Sequence, residues 1–145
     1  MNLFFDTSAL IKKYVLEEGS DIVETLLTQA DVIYISPITE LETHSAFKRL
    51  HIEGAITKSD YNTLKKEFEI DIQFYTQVFF DENISEIAKM LIEKYQLKIL
   101  DSIQLSSALA IHKEIELFIT SDEKLFHSAK KEKLKIVNPL QKKTT

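Results

Sequence analysis

Four acidic residues draw attention by where they fall. Asp6 follows the apolar run Leu3-Phe4-Phe5, and Asp122 follows Leu117-Phe118-Ile119 after only Thr120 and Ser121. Glu42 closes the stretch Ser36-Pro37-Ile38-Thr39-Glu40-Leu41 behind a third apolar run, and Asp101 comes directly after Leu97 to Leu100. If those runs are neighbouring strands, the acids converge on one edge of a sheet. Two carboxylates about 4 Å apart repel by roughly 4 kcal/mol at an effective dielectric of 20, so such a cluster calls for a counter-charge. A hard divalent cation is the usual one. Mg²⁺ takes oxygen ligands and keeps waters that substrate phosphates can displace.

Each acid also has a purely structural reading. Asp101 with Gln104 three residues on is a variant of the capping box, and Thr39-x-x-Glu42 is a full one. Asp122 can cap the helix that follows it or interact with its dipole. Glu40 reads as a solvated helix acid. Asp6 is the hardest to explain structurally, because Thr7 and Ser8 are able to cap the next helix without it. The histidines His44, His51, His112 and His127 show no HExxH or other close metal spacing. Lys12-Lys13 and Lys48-Arg49 are able to grip phosphates beside the acids, or are simply solvated helix faces. Lys130-Lys131-Glu132-Lys133 is mixed in sign and reads as surface.

The elements that must carry these residues alternate. Strands are expected at Leu3–Phe5, Val32–Ile35, Phe74–Phe80, Leu117–Ile119 and Leu134–Val137, bounded by Asp, Ser-Pro and Asn-Pro signals. Ile84, Ile87, Ala88, Leu91, Ile92 and Tyr95 form one face of an amphipathic helix. Asp101 to His112 is apolar nearly all round and reads as a buried helix. Another helix runs from near Pro37 toward Ile52, and Tyr61, Leu64 and Phe68 mark the next beyond Gly54. Such alternation implies an α/β domain, a mainly parallel sheet with helices on both faces. Ligands then sit outside the carboxyl ends of the strands, where the acids are.

With 145 residues the chain is one domain, expected over residues 1–140 with a frayed tail at 141–145. Its 44% apolar and 28% charged content suits a compact soluble protein, and a cytoplasmic one is the default. The absence of cysteine excludes disulfides, thiolate metal sites and cysteine nucleophiles. Two glycines, Gly19 and Gly54, are too few for a GxGxxG or GxxxxGK loop. No membrane span is expected, and no signal peptide, since Asp6 breaks the first apolar stretch. The net charge of −5 argues against broad adhesion to nucleic acid but leaves room for a local site.

Phe4-Phe5-Asp6-Thr7-Ser8-Ala9-Leu10, Ile38-Thr39-Glu40-Leu41-Glu42, Leu100-Asp101-Ser102-Ile103-Gln104-Leu105 and Ile119-Thr120-Ser121-Asp122 resemble, in order, the four motifs of PIN-domain ribonucleases. The whole pattern is similar to the VapC-type toxins of toxin–antitoxin pairs. That resemblance implies a five-stranded parallel sheet between helices. It implies that Asp6, Glu42, Asp101 and Asp122 hold Mg²⁺ or Mn²⁺ for RNA cleavage. It makes Ser8 and Thr120 groups that orient the acids or the substrate. In-line attack by a metal-activated water would leave a 5′-phosphate and a 3′-hydroxyl. Family members often have glycine where this chain has Lys133, and the fourth acid, here Asp122, is the least constant element of the pattern. The likeness further implies a homodimer and an antitoxin partner. Tyr61, Leu64, Phe68 and Tyr95 supply aromatic and apolar bulk for such a dimer. The rival reading is a PIN-like module that binds protein or RNA without cleaving. A haloacid-dehalogenase phosphatase would need a second aspartate where Ser8 stands, and a receiver domain an acidic pair after the first strand.

Overall fold

Leu3, Phe4 and Phe5 are all fully buried, which consecutive strand residues achieve only when both faces of their sheet are covered. The computed structural model describes residues 1–141. The rest of the tail expected to fray lies outside the described residues. Five strands, β1 (Asn2–Phe5), β2 (Val32–Ile35), β3 (Thr76–Gln77), β4 (Leu117–Ile119) and β5 (Ile136–Val137), form one sheet in the order β3-β2-β1-β4-β5. Every pairing is parallel, with Phe4 beside Tyr34 on one side and Phe118 on the other. The sheet is thus wholly parallel where a mainly parallel one was expected.

Among the described residues seven α-helices connect the strands: α1 (Thr7–Leu10), α2 (Ser20–Gln29), α3 (Thr39–Ile52), α4 (Lys58–Asp71), α5 (Glu82–Tyr95), α6 (Ile99–Ala110) and α7 (Glu123–Lys131). Alternation along the strands sorts them into two layers. Leu3, Phe5, Ile35 and Ile119 pack with Ala9, Leu10, Val23, Phe47 and Phe68 from α1 to α4. Phe4 and Phe118 point the other way, onto Leu91, Leu105, Ala108, Leu125 and Ala129 from α5 to α7. No helix of the described residues is long and apolar enough to cross a membrane.

Two strand expectations need correction. Of the run Phe74–Phe80 only Thr76 and Gln77 pair, with Tyr34 and Ile35. Phe74 ends a 3-10 turn, and Phe74 and Phe79 are about four-fifths exposed, at 78% and 82%. An edge strand has one partner only, and a short one limits edge-to-edge association. β5 starts two residues later than expected because α7 ends in a Schellman motif. Leu134 N–H donates to Ala129 O (3.1 Å) and Lys133 N–H to Lys130 O (3.0 Å), with Lys133 left-handed at φ 67°.

The aromatic bulk expected to serve a dimer is largely spent inside the monomer. Tyr61 and Phe68 are buried, Tyr61 stacked on His51 of α3 and Phe68 against Phe47 of α3 and Tyr14, Leu64 packs on the same core, and the Tyr95 hydroxyl donates to Glu132.

Candidate active site

The strand order reverses between β1 and β4, so the crevice beyond their carboxyl ends is the natural ligand site of this sheet. Asp6 stands there. Its N–H donates to Ile119 O (3.0 Å), carrying the β1–β4 ladder one residue further, and its side chain is only 3% exposed. Asp6 Oδ1 accepts from Ser8 Oγ (2.7 Å) and from Ala9 N–H (3.0 Å), while Oδ2 accepts from Thr120 Oγ1 (2.8 Å). Asp6 is therefore the cap of α1, the role expected of Thr7 or Ser8. Ser8 Oγ in turn accepts from Ser121 N–H (3.0 Å), and Thr120 Oγ1 from Asp122 N–H (3.1 Å). Burial pushes the Asp6 carboxyl up to about 7, against the pull of its three hydrogen bonds, and the charge of Asp122 adds to the rise.

The other three acids arrive on helices. Asp122 caps α7, its Oδ1 accepting from Leu125 N–H (2.8 Å), as the structural reading allowed. Asp101 lies in the first turn of α6, half-buried. Burial raises its pKa, and the charges of Asp122 and Glu42 raise it further, opposed by Lys98 and Lys124. It is not a cap: Lys98 holds that position, and the Gln104 side chain turns elsewhere. Glu42 accepts at Oε1 from both Thr7 Oγ1 and Gln104 Nε2, each at 2.8 Å. The capping box foreseen for Thr39 and Glu42 is absent, because Ile38 occupies the cap position. The Thr39 hydroxyl bonds Ser36 Oγ (3.0 Å) and receives Gln104 Nε2 (3.2 Å) instead.

All four acids thus act on one another electrostatically, in the pairs Asp6–Asp122, Asp101–Asp122 and Asp101–Glu42. Among the described residues no three His, Asp or Glu side chains stand close enough to form a ready-made ion cage. The donor chemistry still fits a hard divalent cation. It is all carboxylate oxygen, and those oxygens are incompletely used. Glu42 Oε2, Asp122 Oδ2 and both Asp101 oxygens take no hydrogen bond among the described residues, and Asp6 Oδ2 takes one where two are available.

The basic pairs part company. Lys12 is buried on Glu17 (2.9 Å), and Lys13 pairs with Asp71, so neither is free to grip a phosphate. Lys48 lies over the Tyr61 ring. Arg49 alone lines the groove of about 460 Å³ that runs from Thr7, Ser8 and Glu42 past Ser45. A larger hollow of about 920 Å³, beside Gly19, Ile136 and Pro139, includes none of the four acids. His44 is exposed on a separate groove, and the His51 ring stacks on Tyr61. Sequence reasoning gave Thr7 and Gln104 only capping roles and missed Lys98 and Lys124. Their signal was nearness to the acids along the chain: each lies within three residues of one of them.

Residues 3–132 match the family model of the PIN domain. The chain belongs to the PIN-domain family. No curated protein sequence matches it significantly. Among solved structures, this PIN domain is similar to one described as a toxin–antitoxin complex from Klebsiella pneumoniae. That pair is 22% identical, with TM-score 0.69, over 95% of this chain and 98% of the other. It is also similar to FitAcB from Neisseria gonorrhoeae (16% identity, TM-score 0.70, 97% and 99% covered). A third is VapBC-1 from nontypeable Haemophilus influenzae (16%, 0.69, 97% and 100%). At such identities the likeness is one of fold.

Proposed function

We propose that this PIN domain, residues 1–140, is a divalent-metal-dependent endoribonuclease and the toxin of a toxin–antitoxin pair. The observation that carries the reading is Asp6. It is a 3%-exposed carboxyl, pushed up to about 7, at the switch point of the sheet. A side chain so costly to ionise is more than a helix cap requires. Asp6, Glu42, Asp101 and Asp122 would hold Mg²⁺ or Mn²⁺. When bound, such an ion activates a water for attack on the phosphodiester and neutralises charge on the phosphoryl oxygens.

The chain's own residues do the rest. Ser8, Thr120 and Ala9 N–H fix the Asp6 carboxylate in one orientation, leaving a lone pair of Oδ2 for a ligand. Lys98 and Lys124 temper the negative field at Asp101 as a phosphate approaches. Arg49, about two turns along α3 from Glu42 and lining the same groove, would contact a neighbouring phosphate of the strand. The described toxin–antitoxin complex supports an antitoxin partner, and the same reading makes the chain a homodimer in a cytoplasmic setting. An antitoxin arginine or lysine would satisfy the same carboxylates.

Incubation of the purified chain with RNA tests the activity. Cleavage is expected with Mg²⁺ or Mn²⁺ and not with EDTA, leaving 5′-phosphates, and Asp6→Asn should abolish it. RNA binding without cleavage under both conditions would point to the non-catalytic module instead. Co-purification with the product of the adjacent reading frame, and suppression of cleavage by it, tests the toxin assignment separately.

A further inference from the structure

Gln104 is 2% exposed, on α6, three residues beyond Asp101 and so on the same side of that helix. Its Nε2 lies 2.8 Å from Glu42 Oε1, 2.9 Å from Thr7 Oγ1 and 3.2 Å from Thr39 Oγ1. An amide nitrogen has two diverging protons, and Glu42 Oε1 and Thr7 Oγ1 stand too near one another to take one each, so one proton goes to Glu42 and the other faces the threonine hydroxyls. The carboxylate oxygen of Glu42 can only accept, which fixes which end of the amide faces it. Thr7 has one proton and gives it to Glu42 at 2.8 Å rather than to Thr39 at 3.3 Å. The three side chains therefore close a triangle. Gln104 donates one proton to Glu42 Oε1 and turns the other to the threonines, and Thr7 donates to the same Glu42 oxygen.

We infer that Gln104, with Thr7, is the positioning residue for Glu42. It is a strut across α1, α3 and α6 that saturates Oε1 and leaves Oε2 as the one oxygen offered to a ligand. This deepens the proposed function and rests on its metal reading. The arrangement has a cost that packing alone would not justify. Gln104 Oε1 is buried with no partner, as is Thr43 Oγ1 one turn along α3 from Thr39. A leucine or methionine at 104 would fill the same space without stranding a buried acceptor. The strut also ties together the helices that carry Asp101 and Glu42, which repel one another. Without it the two acids are free to move apart.

The test compares the full chain with Gln104→Met, which keeps the length and loses the donor. Mn²⁺ affinity is read by calorimetry and Glu42 by metal-free crystal structures. Affinity should fall by about 10- to 100-fold, as when a partner of a metal ligand is removed, and Glu42 should leave its place beside Thr7. In a Glu42→Gln background Gln104→Met should weaken Mn²⁺ no further, whereas a general packing defect would act in both backgrounds. Unchanged affinity with Glu42 undisturbed overturns the inference, and so does an equal loss in both backgrounds. Should Gln104→Met fail to fold, Thr7→Val removes the other donor isosterically and must displace Glu42 by the same criteria. If the unaltered chain binds no Mn²⁺, the metal reading falls by itself. The strut then stands or falls on whether Glu42 moves in the metal-free structures.

Discussion

A carboxyl as dry as Asp6 disfavours the fold most when it is charged, and that links the stability of the metal-free protein to pH. The group ionises near 3.8 in an unfolded chain and near 7 in the folded one. Between those values the folded state holds a proton that the unfolded state has lost, so stability falls as pH rises through the window and levels off above it. Asp101, also raised, adds in the same sense. In EDTA, chemical denaturation of the unaltered chain should show more stability near pH 5 than near pH 8, by an amount on the order of a few kcal/mol. Asp6→Asn should flatten most of that slope, and it should be the more stable of the two at pH 8. Equal slopes in both proteins would contradict the burial of this charge. That the four acids fall near one another at the end of the sheet was readable from sequence, since each lies behind an apolar run. What holds them was not. The partners of Asp6 and Glu42 lie up to 114 positions away, and hydrogen bonds such as Thr120 to Asp6 leave no periodic trace.

At the scale of elements, the helices were legible where their apolar spacing was regular. The periodic face from Ile84 to Tyr95 became α5, capped by Asp81. The ends were less so. Thr39 and Asp101 carried capping patterns that tertiary partners overrode, while the box that does form, Thr57 with Asp60, was passed over. The end of α7 shows why local chemistry still matters. Lys133 occupies the left-handed position of its Schellman motif, where a side chain costs roughly 1–2 kcal/mol. Glycine removes that strain but gains freedom in the unfolded chain, which offsets about 0.5–1 kcal/mol. Lys133→Gly should therefore stabilise the protein by about 0.5–1 kcal/mol, seen as a rise in Tm of a few degrees at most. A lower Tm would mean that the lysine makes a compensating contact.

On the scale of the whole molecule, the sheet sorts its surface into an acidic mouth and an apolar edge. Phe74, Phe79 and Phe80 flank β3 at that edge and stay more than half exposed, unlike the aromatic residues of α4. Light scattering at micromolar concentration should give twice the 16.8 kDa chain mass, and a strictly monomeric mass would refute the dimer. The acidic mouth carries the larger consequence. Four carboxylates drawn together by separate strands and helices repel one another in the free protein, a cost that protonation lowers at acid pH and that a bound cation should lower at neutral pH. A ligand that binds the folded chain alone stabilises it by mass action, about 2.7 kcal/mol at a hundredfold excess over its dissociation constant. Millimolar Mn²⁺ should accordingly raise the Tm above that in EDTA, by several degrees for a chain of this length. The gain should shrink below pH 6, where Asp6 holds its proton and competes with the ion. Asp6→Asn should lose most of it at every pH. Identical melts with and without Mn²⁺, at pH 8 and in the unaltered chain, would mean that the four acids do not share a cation.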